Sequence, residues 1–387
     1  MNDFKQKIED ELARQKAELL KPNIVVVGGT GVGKSSLVNR FFGIEVASVD
    51  AGKPVTKGMD RYEQDDIPVI IYDTEGYEIT SSSDEGNNFD ANIKPQIEEM
   101  NSKELKVQIH LVWYCISITN HRVTNYDLQN IEYFVSNGMK TSVVFTKCDC
   151  DEELQDGSGK EATEFKKIIK EQFPNIEFFE TSSNKDLTLD LDKLNNWSNE
   201  SLSDDRLKAS FISAQKVSIE MKKQEARKHV NSITTSVALS TALTNIVSSL
   251  TKHKISDSFV IAPQQLEMCV KISTVFGFDS FGENTKSILQ EQLVTLSSKK
   301  LAVIIADKVK DIPKYGKLLA GIINTTVALA MTYALGMAIV EVYAKAYKDY
   351  LENEELPNWM ELFSSEMFLN YFVDVLETYN KGTDSGK

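Results

Sequence analysis

Residues 28–35 read Gly28-Gly29-Thr30-Gly31-Val32-Gly33-Lys34-Ser35, a glycine-rich stretch closed by a lysine and a hydroxyl. Glycines let backbone N–H groups turn inward, and with the positive end of a following helix these donors suit the α- and β-phosphates of a nucleotide. Lys34 is placed to reach the β- and γ-phosphates and the Ser35 hydroxyl to ligate Mg²⁺. Gly28, Thr30, Gly31, Val32, Gly33 and Ser36 complete the expected nucleotide contacts of this loop. A second segment, Asp73-Thr74-Glu75-Gly76, follows an apolar run. An aspartate at a strand end holds Mg²⁺ through water, and the Gly76 N–H can sense a γ-phosphate. Between the two, Ala47–Gly58 reads as a loop in which Thr56 is the candidate third oxygen for the metal. The expected catalytic set is therefore Lys34, Thr56 and Gly76, and the metal set Ser35, Thr56 and Asp73.

A third segment decides the base. In Thr146-Lys147-Cys148-Asp149, the carboxylate of Asp149 can accept from both the ring N1–H and the exocyclic amine of guanine, a pair that adenine does not present. The Lys147 stem can pack along the ring. A polar turn, Glu180-Thr181-Ser182-Ser183-Asn184, is a softer signal: there the Ser183 N–H is placed for the guanine carbonyl, beside Ser182.

These residues need a scaffold that brings loops to one edge. Asn23–Val27 is a β-branched run flowing into the glycines, Lys34–Phe42 reads as a helix, and strand candidates recur at Pro68–Tyr72, Ile109–Ile118, Ser142–Thr146 and Ile176–Glu180. Helical stretches at Tyr126–Val135 and Glu161–Gln172 alternate with them. This order predicts an α/β fold with a mainly parallel sheet covered on both faces, with 60–64 able to add an antiparallel edge hairpin. From residue 197 the β-branched runs give way to Ala, Leu, Lys and Ser, so the second half reads as helical. The expected divisions are an N-terminal amphipathic helix at 1–21, carrying Phe4, Ile8, Leu12 and Leu19, a nucleotide-binding domain at 22–196, a helical domain at 197–378 and a disordered tail at 379–387.

The segments resemble the motif boxes of the translation-factor-related P-loop GTPases, and residues 31–39, Gly-Val-Gly-Lys-Ser-Ser-Leu-Val-Asn, are most similar to the branch that includes Era, TrmE and the septins. The resemblance implies a Ras-like G domain, GTP and GDP with Mg²⁺ as cofactors, and hydrolysis of the γ-phosphate. Two positions depart from the pattern. Tyr77 stands where Ras-like members have a water-orienting glutamine, which implies slow turnover without a partner or self-association, with Glu75, Glu78 or Arg122 as candidate contributors. Gly31 stands where potassium-dependent members carry asparagine, which argues against activation by potassium. More loosely, Ile261-Ala262-Pro263 through Gly277 and Ile312-Pro313-Lys314-Tyr315-Gly316 resemble the helical domain that follows the G domain in a set of bacterial Era-like GTPases.

Bulk properties narrow the partners. The chain has 387 residues and a formal net charge of -14, and residues 1–196 hold 22 Lys and Arg against 35 Asp and Glu. So acidic a body repels phosphate backbones, which argues against non-specific nucleic-acid binding. Four cysteines without metal-ligand spacing fit a reduced, cytoplasmic chain. Leu318–Val340 is a 23-residue apolar run that is either a buried core helix, a membrane-docked one or a span. The readings that follow are a GTP-hydrolysing switch acting on a membrane or partner, an assembly-activated mechanochemical GTPase of the immunity- or dynamin-like kind, or a non-catalytic GTP-dependent scaffold, with a homodimer formed with a second copy of the chain or an activating protein as the candidate protein partners.

Overall fold

The computed structural model describes residues 2–44, 53–56, 58–64, 67–74, 89–154, 157–239, 263–278, 291–292, 295–296, 299–309, 312, 325–353, 355 and 357–384. It divides into two compact units, residues 19–218 and residues 1–18 with 219–387. The first helix, α1 (Asn2–Glu18), belongs to the second of these.

The unit 19–218 is built on a seven-stranded sheet of order β2-β3-β4-β1-β5-β6-β7, formed by β1 (Asn23–Val27), β2 (Lys53–Thr56), β3 (Met59–Glu63), β4 (Ile70–Thr74), β5 (Leu111–Ser117), β6 (Thr141–Thr146) and β7 (Glu177–Glu180). The strands β4, β1, β5, β6 and β7 pair in parallel, whereas β3 is antiparallel to both β2 and β4. Because successive side chains point to opposite faces, each buried strand feeds two cores. Val25, Val27, Val112, Tyr114 and Ile116 face one core, while Ile24, Val26, Leu111, Trp113 and Cys115 face the other.

On the first face lie α3 (Lys94–Asn101), α4 (Asn125–Ser136) and α5 (Lys160–Lys170), contributing Ile97, Phe134 and Phe165. The second face is covered by α2 (Lys34–Phe42), α6 (Leu191–Ser201) and α7 (Asp205–Ala214). There Phe42 stacks on Trp113 at 5.8 Å, and the Trp113 indole N–H donates to Ser198 Oγ at 3.1 Å. Full burial of each such ring stabilises by roughly 1.5–3 kcal/mol. A domain boundary at 196/197 would cut through α6, and the structure moves it: Leu207 and Phe211 of α7 are fully buried in the sheet's own core.

Two further expectations change. Residues 53–56 are strand rather than loop, because β2 extends the antiparallel edge, with Thr56 opposite Met59. Residues 379–384 are helix rather than disordered tail, and Tyr379 packs on Tyr333 with ring centroids 5.2 Å apart.

The second unit is helical: α1, α8 (Ile219–Leu239), α9 (Pro263–Phe276), α10 (Lys299–Val309), α11 (Thr325–Asn353), α12 (Trp359–Phe363) and α13 (Glu366–Asp384). Leu12 of α1 is buried, and Arg14 pairs with Glu267 of α9 at 3.4 Å; Phe4 and Ile8 have side chains outside the described residues. Residues 325–340 of the apolar run lie in α11, and 318–324 lie outside the described residues. Glu341 of α11 pairs with Lys223 at 2.9 Å and Arg227 at 2.8 Å, both on α8.

Candidate nucleotide-binding site

The glycine loop begins where β1 ends and the backbone turns through conformations that L side chains rarely adopt: φ is 152° at Gly28, 70° at Gly31 and 102° at Gly33. A Cβ at Gly28 would lie 2.3 Å from the Cys115 carbonyl oxygen of β5, so only glycine lets the loop leave the sheet at this height. Val32 is buried and anchors the loop in the core under α2, while Thr30, Gly31 and Ser36 are exposed.

Lys34 opens α2 with its side chain buried; its Nζ donates to Gly28 O at 3.1 Å and Gly29 O at 3.3 Å and stands 4.0 Å from Asp73 Oδ1. The ammonium therefore fills the concavity of the loop, held by carbonyls that a polyphosphate would replace as the stronger partner. The Ser35 hydroxyl donates to Asp73 Oδ2 at 3.3 Å. Burial pushes the Asp73 carboxyl up to about 6, against the pull of Lys34 and Ser35, and Asp60, its register partner on β3, adds like charge. Asp73 Oδ1 is buried without a hydrogen bond. A hydroxyl beside a buried carboxylate with an unsatisfied oxygen is a donor set that fits a hard divalent cation. The next residue, Thr74, ties β4 to β1 by donating to Val26 O at 3.2 Å. Glu75, Gly76, Tyr77 and Glu78 lie outside the described residues, as does the side chain of Thr56.

The residues expected to read the base stand at the ends of β6 and β7. Thr146 Oγ1 donates to Val32 O, and Lys147, in the left-handed region at φ 57°, donates from Nζ to Gly31 O at 2.8 Å. Asp149 Oδ1 accepts from Ser182 Oγ at 2.5 Å, and Ser182 Oγ in turn accepts from Asn184 N at 3.0 Å. Ser183 is exposed beside them. The structure thus gathers Gly28, Thr30, Gly31, Val32, Gly33, Lys34, Ser35 and Asp73 at one end and Thr146, Lys147, Asp149, Ser182 and Ser183 at the other, with the Lys147–Gly31 contact joining them. Arg122 lines a cavity of about 570 Å³ together with Gly29, Thr30 and His121.

Residues 23–147 match the family model described as 50S ribosome-binding GTPase. This segment is a P-loop GTPase domain. The GTPase domain is also similar to a probable GTP-binding protein EngB of Cytophaga hutchinsonii, 26% identical over 168 residues that cover 43% of this chain and 80% of that relative. Among solved structures, a probable GTP-binding protein EngB aligns with a TM-score of 0.35 and 16% identity, covering 46% of this chain and 97% of its own. Era of Aquifex aeolicus bound to GDP and AlF4⁻ aligns with a TM-score of 0.33 and 19% identity, covering 54% of this chain and 67% of its own. The helical unit from Ile219 onward lies beyond the family match.

Support for the candidate site also comes from residues that no motif marks. Glu180, buried at the end of β7, accepts from Ser158 Oγ at 2.5 Å and Gly159 N at 3.0 Å and pairs with Lys166, which fixes the loop after Asp149. Asp151 accepts from Glu161 N and Ala162 N, both at 3.0 Å, at the opening turn of α5. A glutamate closing a strand carries no sequence signal for such a role; only the fold shows what faces it.

Proposed function

We propose that the chain is a guanine-nucleotide switch that binds GTP and hydrolyses it to GDP and phosphate. The observation that carries this reading is the Lys147 Nζ to Gly31 O contact at 2.8 Å, which makes the phosphate loop and the base-reading motif one continuous seat. In that seat the loop N–H groups and the N-terminus of α2 hold the α- and β-phosphates, and Lys34 exchanges its two carbonyl partners for β- and γ-phosphate oxygens. Asp149, oriented by Ser182, accepts from the guanine N1–H and amine, and an adenine would leave that carboxylate unpaired. Ser35 and Asp73, with Thr56, would hold Mg²⁺, which when bound neutralises charge on the phosphates.

Gly76 would report the γ-phosphate through its N–H and Tyr77, following it, has no amide to orient a water. Turnover is therefore slow in the isolated chain and rises with an activating protein or with a second copy. Arg122 supplies a guanidinium on the cavity beside Gly29 and Thr30, where it could add to charge stabilisation.

The test is GTP binding and single-turnover hydrolysis by the wild type and Lys34→Ala over a range of protein concentrations, with and without lipid vesicles. Binding by the wild type and loss of hydrolysis in Lys34→Ala are expected. Turnover that climbs with concentration or vesicles identifies assembly or membrane activation. Tight binding with flat, negligible turnover identifies a chain that awaits a separate activator or serves as a GTP-loaded scaffold, and absence of GTP binding by the wild type overturns the reading.

A further inference from the structure

Residues 183–189, which follow Ser182 between β7 and α6, are all exposed, so this loop takes no shape from packing. Its base is closed by α6 and β7: Asp190 N donates to Glu180 O at 2.9 Å, and Glu180 N donates to Asp190 Oδ2 at 3.0 Å. Its tip is a turn in which Leu187 N donates to Asn184 O at 3.2 Å. Between base and tip, three carbonyls converge on one side chain. Arg40 donates from Nη1 to Ser182 O and to Asn184 O, the latter at 2.6 Å, and from Nη2 to Leu187 O at 2.5 Å.

Arg40 stands in the last turn of α2, the helix whose first residues are Lys34 and Ser35. Its guanidinium is partly buried and stays charged, so each contact is a charge-assisted hydrogen bond. The planar fork meets carbonyls on two of its nitrogens, which a lysine ammonium on a flexible stem cannot do in the same geometry. Through these carbonyls Arg40 fixes the backbone of Ser182, whose hydroxyl holds Asp149, and of the residues flanking Ser183.

We infer that Arg40 is a positioning residue for base recognition, holding the 182–187 loop so that Ser182 stays on Asp149 and the Ser183 N–H stays at the guanine carbonyl. The inference rests on the guanine-nucleotide reading above. It separates the two ends of the site: removing the guanidinium loosens the base seat while Lys34 and the phosphate loop keep their own partners.

The experiment compares GDP and ADP affinity, GDP release rate, and GTP KM and kcat for the wild type, Arg40→Ala and Arg40→Lys. Loss of hydrogen bonds to a charged group predicts that Arg40→Ala weakens GDP about tenfold or more. The loss should come through faster release, with kcat at saturating GTP within about twofold and a narrowed preference for GDP over ADP. Arg40→Lys should fall between the two, and it carries the comparison if Arg40→Ala fails to fold. GDP affinity and release unchanged in both variants would overturn the inference, as would GDP and ADP weakened by the same factor, the mark of a general loss of stability. A wild type that binds no GDP would instead sink the guanine reading, and the inference with it.

Discussion

Ser182 spends its hydroxyl twice, donating to Asp149 Oδ1 at 2.5 Å and accepting from Asn184 N at 3.0 Å. Asp149 is exposed, so in the absence of Ser182 its carboxylate would be free to turn among rotamers, and aiming it at a base would then carry an entropic cost. A hydrogen bond to a charged group contributes about 1.5–3 kcal/mol. Ser182→Ala should therefore weaken GDP by roughly ten- to a hundredfold, with little change in melting temperature, because the lost bond joins an exposed carboxylate. Ser182→Thr, which keeps the hydroxyl, should recover much of the loss. Titration calorimetry with GDP checks this, and an affinity in Ser182→Ala equal to the wild type would show that Asp149 needs no orienting partner. At this scale the glycine loop and the Thr146–Asp149 motif were legible because their chemistry demands fixed spacing. Arg40 was not, since a lone arginine on an amphipathic helix has no spacing to betray it, and the Thr56 side chain and the whole of Gly76 lie outside the described residues.

The elements were legible where a strand is buried on both faces. Asn23–Val27 and the cores of β5 and β6 are continuous apolar runs, and helices announce themselves by spacing. β2 was hidden because Lys53-Pro54-Val55-Thr56 is short, contains proline and sits on an edge, where pairing requires no apolar alternation. The boundary at 196/197 was misplaced because α7 is amphipathic like any helix of the second half, and only its Leu207 and Phe211 reveal which core it serves. One sheet contact carries a pH dependence. His110, just before β5, accepts from Asn23 N at its ring Nδ1 at 2.8 Å and donates its backbone N–H to Asn23 O at 2.9 Å. Burial holds its imidazole below the usual histidine range, against the pull of a Leu105 backbone bond and of Asp204. The folded state thus binds the proton less readily than the unfolded chain. Stability present above the unfolded value of about 6.5 is lost as pH falls from there toward the folded value. His110→Asn, which can still accept from Asn23 without titrating, should show a flatter dependence between pH 7.5 and 5.5. Urea midpoints of both proteins across that range check it, and parallel curves would mean that His110 does not titrate on unfolding. In the helical unit, Gly336 of α11 marks a close crossing: a Cβ there would lie 2.7 Å from Met268 Sδ of α9 and 2.7 Å from Val230 Cγ1 of α8. Alanine improves helix propensity by about 1 kcal/mol, but overpacking costs about 1–3 kcal/mol. The stiff, fully buried Val230 cannot yield, so Gly336→Ala should be destabilising and Gly336→Val more so. Urea unfolding followed by helical circular dichroism reads the sign, and a stabilised Gly336→Ala would mean that the three helices part easily.

For the whole molecule the open question is what the apolar half does in water. Among the described residues one helix is long and apolar enough to cross a membrane by length and composition, Leu329–Asn353, and 61% of its most apolar window is buried. That burial is specific: Ala330, Ala334 and Ala338 are closed off, and Tyr343 and Tyr347 sit among Phe276, Phe278 and Trp359. Glu341 holds Lys223 and Arg227, and Lys222, fully buried, donates to Val275 O at 3.1 Å at the end of α9. Inserting α11 into lipid would strip Glu341 of both cations, at about 2.5–3.5 kcal/mol for one charged residue at the bilayer centre, and would expose Lys222 and the aromatic cluster it leaves behind. Nothing comparable is gained, since the apolar face is already out of water. The net charge of -14 further opposes approach to an anionic bilayer surface. We therefore expect the full chain, purified without detergent, to remain in the supernatant after ultracentrifugation and not to sediment with vesicles of zwitterionic or mixed anionic lipid, with GDP or with a non-hydrolysable GTP analogue. Sedimentation with vesicles only in the triphosphate state would instead mean that the nucleotide releases α11 from its ion pairs, and Glu341→Gln, which weakens those pairs, should then sediment without any nucleotide. If Glu341→Gln stays soluble under every condition, the burial of the apolar core alone is sufficient to hold α11 in the bundle.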